Sequence, residues 1–83
     1  MGYHLKDITK GKFGEISKIR EELEELEDAE AQDNKILILC ELSDLYGAIK
    51  KYIKNEFGGT VSMKDLAKMA KATSRAFKDG SRK

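Results

Sequence analysis

Two pairs of acids carry the chemistry open to this sequence. Glu22 and Glu25 stand three residues apart, and Glu41 and Asp44 repeat that spacing further along. On a helix that separation is just under one turn, so each pair projects from one face. Both pairs border apolar residues, Leu23 and Leu26 beside the first and Leu42 and Leu45 beside the second. A carboxylate half-buried on such a surface costs on the order of several kcal/mol unless something compensates it. Four of them facing one another would repel, and the simplest compensator is a hard divalent cation. Oxygen ligands without a His or Cys cluster favour Mg²⁺, with Mn²⁺ as an alternative, over Zn²⁺. The sole histidine, His4, lies outside these segments and is not expected to be a ligand. Glu24, Glu27, Asp28 and Glu30 read as a solvated acidic face.

Such a site needs two helices that face each other. The chain has no proline, and β-branched residues nowhere alternate with polar ones for long, so the expected class is all-α. Residues 1–12 contain Gly2 and Gly11 among scattered lysines and read as an N-terminal arm. A first helix is expected from Phe13 or Gly14 to Glu30, with Ile16, Ile19, Leu23 and Leu26 as its apolar stripe. A second starts near Asp33 or Asn34, either of which can cap it, and stops at Gly58-Gly59. Its run Ile36-Leu37-Ile38-Leu39-Cys40 is apolar on all sides, which predicts a central helix buried against more than one neighbour. Ser62-Met63-Lys64-Asp65 forms a capping box that opens a third helix, with Leu66, Met69, Ala70, Thr73 and Phe77 facing inward and Asp79-Gly80 ending it. Residues 13–80 thus form one all-α domain, and residues 81–83 read as a disordered tail.

The third helix also carries Lys64, Lys68, Lys71, Arg75 and Lys78 as one basic stripe beside its apolar one. These cations can neutralise phosphate, and Arg75 can do so bidentately; a solubilising face explains them equally well. Lys18, one turn before Glu22, can touch phosphate or pair with a carboxylate. The near-neutral total of +1 hides this asymmetry: residues 15–33 hold nine carboxylates against Lys18 and Arg20, and residues 62–83 hold seven basic groups against Asp65 and Asp79. A metal-bound polyphosphate suits that division, and so does self-association by charge matching.

Eighty-three residues make one domain at most, and a chain this short buries only about 60–65% of its unfolded surface, so help from a partner subunit is expected. The single Cys40 excludes an intramolecular disulfide and, within its apolar run, is expected to be a buried thiol in a reducing, cytoplasmic compartment. No stretch approaches the roughly 18 apolar residues of a membrane span, and the N-terminus resembles neither a signal peptide nor a myristoylation site.

Glu21-Glu22-Leu23-Glu24-Glu25, followed after fifteen residues by Glu41-Leu42-Ser43-Asp44, resembles the EExxE and ExxD motif pair of the MazG-like, all-α nucleoside triphosphate pyrophosphohydrolases. Lys68-x-x-Lys71-x-x-x-Arg75 is similar to the phosphate-binding helix that follows the pair in many members, so the likeness spans residues 13–80. It implies cleavage of a nucleoside or deoxynucleoside triphosphate between the α and β phosphates, giving a monophosphate and pyrophosphate by metal-assisted in-line attack. It further implies that Glu22, Glu25, Glu41 and Asp44 bind Mg²⁺ and that Glu21 supports the catalytic Glu22 or positions water. Lys68, Lys71 and Arg75 would hold phosphate, and a homodimer or homotetramer would complete the helical bundle. No residue is assigned to the base; Tyr3, His4, Phe13 and Tyr46 can stack on one or simply pack.

Two other readings stay open. The same groups can capture a nucleotide without cleaving it, or the helices can serve only to oligomerise. Nucleic-acid binding is disfavoured, because no aromatic residue except the core-assigned Phe77 interleaves with the cations and the acidic first helix repels a phosphate backbone.

Overall fold

In the computed structural model, residues 4–78 are described, without the side chains of Ala76 and Phe77. They form three helices joined by short connections: α1, Ile16–Ala31; α2, Lys35–Phe57; and α3, Met63–Lys78. No strand occurs among them. Tyr3, Asp79-Gly80 and the tail 81–83 lie outside the described residues.

The helix ends follow local chemistry. Gly14 has φ +96°, a left-handed conformation that delays α1 to Ile16, slightly later than the periodicity suggests. Asp33 turns the chain at φ 53°, and the Asn34 side chain caps α2 by accepting from the Leu37 amide at 3.0 Å. Gly58, at φ 62°, ends α2 with its amide donating to the Lys54 carbonyl. Ser62 and Asp65 form the reciprocal box: the Ser62 amide donates to Asp65 Oδ2 at 2.9 Å, and the Asp65 amide donates to Ser62 Oγ at 3.3 Å.

The three-residue connection between α1 and α2 produces an antiparallel hairpin. Its open end is closed by Asn55 near the C-terminus of α2, whose side chain donates to the Gly14 carbonyl at 3.2 Å. Only α1 and α2 pack extensively on each other. The radius of gyration, 14.9 Å, exceeds the roughly 12 Å of a compact domain this long, as expected if one helix stands off.

Burial is distributed against the expected pattern. The buried apolar residues are Ala29, Ala48 and Ile53, whereas Glu21, Glu22, Asp28 and Glu41 are buried too. The run predicted to be central is largely open: Ile36 is 78% exposed, Leu39 69%, and Cys40 is an exposed thiol. The expectations of a buried α2 start and a buried Cys40 are therefore corrected for the single chain, because a two-helix hairpin covers only one face of α2. The inward packing of α3 is met in part: Leu66 and Thr73 are half-buried, and Leu66 and Ala70 join Met63 and Ala67 in a shallow groove against Tyr46 of α2, but Met69 is 63% exposed. No helix among the described residues is long and apolar enough to cross a membrane.

Candidate metal centre

The hairpin brings all four predicted metal ligands to one place. Glu22 and Glu25 come from α1 and Glu41 and Asp44 from α2, and one carboxylate oxygen of each of Glu22, Glu41 and Asp44 lies within 4.8 Å of the others. Glu21, Glu22 and Glu25 form a second such group. Antiparallel packing does this, since residues midway along one helix face residues midway along the other. The buried oxygens Glu22 Oε1 and Glu41 Oε1 have no hydrogen-bond partner. An unpaired buried carboxylate oxygen is costly, so a cluster holding two of them is suited to a cation.

The electrostatics are those of a crowded acidic site. Burial pushes the Glu25 carboxyl above its ordinary value, and contact with Glu21 and the charges of Glu22 and Glu41 push it further. Burial raises Glu41 as well; the charge of His4 opposes this, while Asp44 and Glu22 add to it. Glu21 is also penalised by burial, yet the Gly11 amide at 2.7 Å and the Lys18 ammonium at 3.1 Å outweigh that and hold it below its ordinary value. Lys18 reaches Glu22 Oε2 at 3.1 Å too. Of its two predicted roles, it occupies the carboxylate-pairing one.

Sequence reasoning missed the arm. Residues 4–12 lie across the hairpin and close one side of a cavity of about 370 Å³ lined by His4, Lys6, Lys10, Glu21, Glu25 and Asp44 among others. His4, expected to be remote, is inserted into the acids. Its Nδ1 is 3.0 Å from Asp28 Oδ2, and its Nε2 is 3.1 Å from Glu25 Oε1 and 3.4 Å from Glu41 Oε2. Burial lowers the affinity of the ring for a proton, but the bonds to Asp28 and Glu25 and the charges of Glu25 and Glu41 together outweigh it and raise His4 above its ordinary value. Asp28, expected to be solvated, is instead 5% exposed. It accepts from the Leu5 amide and from Gln32, each at 3.0 Å. Burial works against its charge, and the Leu5 amide, His4 and Gln32 outweigh that to hold it below its ordinary value. A signal for Asp28 existed, since Glu21, Glu25 and Asp28 follow the four-three spacing of one helical face. None existed for His4, whose position depends on the path of the arm. That path needs Gly11, where a Cβ would meet the backbone of Ser17 and Lys18.

The remaining predicted residues lie elsewhere. Lys68, Lys71 and Arg75 do not line the carboxylate cavity, and the cations that do are Lys6 and Lys10 of the arm. Phe13 sits under the Lys51 ammonium, 5.9 Å from ring centroid to nitrogen, and Tyr46 faces α3, so neither lines the cavity. Searches among known proteins give no match, whether against family models, curated proteins or solved structures.

Proposed function

We propose that the chain is a Mg²⁺-dependent nucleotide pyrophosphohydrolase of the MazG-like kind, cleaving nucleoside or deoxynucleoside triphosphates to monophosphate and pyrophosphate. The observation that carries this reading is the convergence of Glu22, Glu25, Glu41 and Asp44 from two helices, with buried, unpartnered oxygens on Glu22 and Glu41. The donors fit the ion, being hard oxygens in a group with more negative charge than Lys18 and Lys10 can balance. Mg²⁺ held there would supply Lewis acidity to the polyphosphate and acidify a nearby water. Glu21 is held in place by Gly11 and Lys18, as a positioning residue should be. Lys6 and Lys10 line the same cavity and can neutralise phosphate charge there. For Lys68, Lys71 and Arg75 to hold phosphate over these acids, α3 has to come from a second copy, which fits a dimer or tetramer that completes the bundle.

Incubation with each nucleoside triphosphate and Mg²⁺ tests the reading through pyrophosphate release. A folded protein that yields none with any of them overturns it. One observation favours capture without cleavage: the α3 cations lie outside the cavity, so a single chain has few groups to hold a leaving pyrophosphate. Mg²⁺-dependent retention of an intact nucleotide would select that alternative.

A further inference from the structure

The geometry around His4 points to a second metal preference, and this inference rests on the reading that the carboxylate cluster binds a divalent cation. We propose that His4 Nε2, Glu25 and Glu41 form a mixed nitrogen and oxygen subsite, at the arm side of the cluster, that takes a first-row transition dication such as Mn²⁺ or Co²⁺ in preference to Mg²⁺.

Three observations converge on it. The spacing fits: ligands about 2.1 Å from a cation and at right angles to one another lie about 3.0 Å apart, and His4 Nε2 is 3.1 Å from Glu25 Oε1 and 3.4 Å from Glu41 Oε2. The second ring nitrogen is anchored, with Nδ1 at 3.0 Å from Asp28 Oδ2. A carboxylate that accepts from Nδ1 is the usual arrangement behind a metal-bound histidine, and a cation at Nε2 takes the place of the proton that this nitrogen shares with Glu25, which is released to solvent. Asp28 is itself locked by the Leu5 amide and Gln32, so the ring is oriented from behind. Finally, Glu41 is 4% exposed and its Oε1 has no partner, while the residue lines the same cavity as His4 and Glu25.

The selectivity follows from ligand type. Mg²⁺ favours an all-oxygen shell, whereas imidazole binds first-row transition dications more strongly, Co²⁺ above Mn²⁺ in the order of the series. Glu22, Glu41 and Asp44 offer the all-oxygen set and His4, Glu25 and Glu41 the mixed one, with Glu41 common to both. The arm thereby becomes part of the metal centre.

Because the chain has a single histidine, isotopic labelling of histidine nitrogen reports on His4 without mutation. The full chain, loaded with Mn²⁺, should show hyperfine coupling from a histidine nitrogen, and the label should change that coupling. His4→Gln should abolish the coupling and weaken Mn²⁺ and Co²⁺ binding by about 10- to 100-fold, with a much smaller change for Mg²⁺. Bound Mn²⁺ without nitrogen coupling overturns the subsite and leaves the carboxylate site standing, as does a His4→Gln effect equal for Mg²⁺ and Mn²⁺. Failure of the folded chain to bind either ion overturns the carboxylate site as well. Should His4→Gln not fold, the labelled natural sequence still decides the question.

Discussion

The carboxylate face and α3 are built in opposite ways. At the first, an arm, two helices and five acids are tied together by hydrogen bonds and ion pairs: His4 holds Asp28, Glu25 and Glu41, Lys18 holds Glu21 and Glu22, and backbone amides of the arm cap Asp28 and Glu21. At the second, a strongly amphipathic helix leaves Met69 open and shares only a shallow groove with Tyr46, while Ile36 and Leu39 of α2 stand equally bare. One region is over-supplied with buried charge and the other under-supplied with apolar cover. Under the proposed function the first takes a cation and the second takes more protein. Apolar area left in water forfeits about 25 cal/mol per Å², whereas an unpartnered buried carboxylate imposes a penalty outright. The two regions should therefore respond to different perturbations.

The largest separation is expected from Glu41→Gln. Pyrophosphate release should fall by on the order of 10²- to 10³-fold, while the melting temperature without metal stays level or rises, since a buried charge with an unpaired oxygen has been removed. Calorimetric melts with and without Mg²⁺ check this, and a variant that is both fully active and unresponsive to metal breaks the contrast. Next in size, replacing Ile36 and Leu39 together by Glu should weaken self-association by more than about 100-fold in sedimentation, with helix content and metal affinity of each folded chain retained. A parent chain that is monomeric at all concentrations would mean the apolar face is not covered by a second copy.

A smaller effect should follow from Gly11→Ala, which drives a Cβ into the Ser17 and Lys18 backbone and displaces the arm. The cost is the loss of the arm's charge-assisted bonds less the conformational entropy that residues 4–12 regain, on the order of a few kcal/mol at most. Amide exchange should quicken over residues 4–12 and stay unchanged in α3. The smallest expected change is with pH in metal-free protein. His4, Glu25 and Glu41 all have raised proton affinity in the folded state, so the stability they contribute is present below their ordinary values and is lost as pH rises through the folded ones. Glu21 and Asp28 act in the opposite sense, but only in acid below their ordinary 4.5 and 3.8. The metal-free melting temperature should thus decline as pH climbs past 6.5, the ordinary histidine value. A melting temperature that rises over that range would show that His4, Glu25, Glu41 and Asp28 do not face one another in solution.

Local interactions account for most of what was legible in the sequence. Helix class, the Asn34 cap, the Ser62 and Asp65 box and the Gly58 stop involve residues within four positions of one another, and all are present. The convergence of Glu22, Glu25, Glu41 and Asp44 was accessible too, because each pair keeps helical spacing and a short connection forces α1 and α2 to face. Apolar periodicity marked Ile36, Leu39 and Met69 as surfaces that want cover, but periodicity does not say which body supplies it. Reading that cover as intrachain packing placed Cys40 and α3 in a core that a single hairpin does not build.

The sequence by itself determined the three helices and the two acidic pairs, since both depend on spacing along the chain. Only the tertiary structure decided that His4 enters the acids, that Asp28 is buried behind it, and that Lys6 and Lys10 rather than the α3 cations border the cavity. His4 and Asp28 are 24 residues apart, and no local period links an arm without regular structure to a helix. Their meeting depends on the close approach that Gly11 permits and on the pull of an acidic cluster toward the nearest cation.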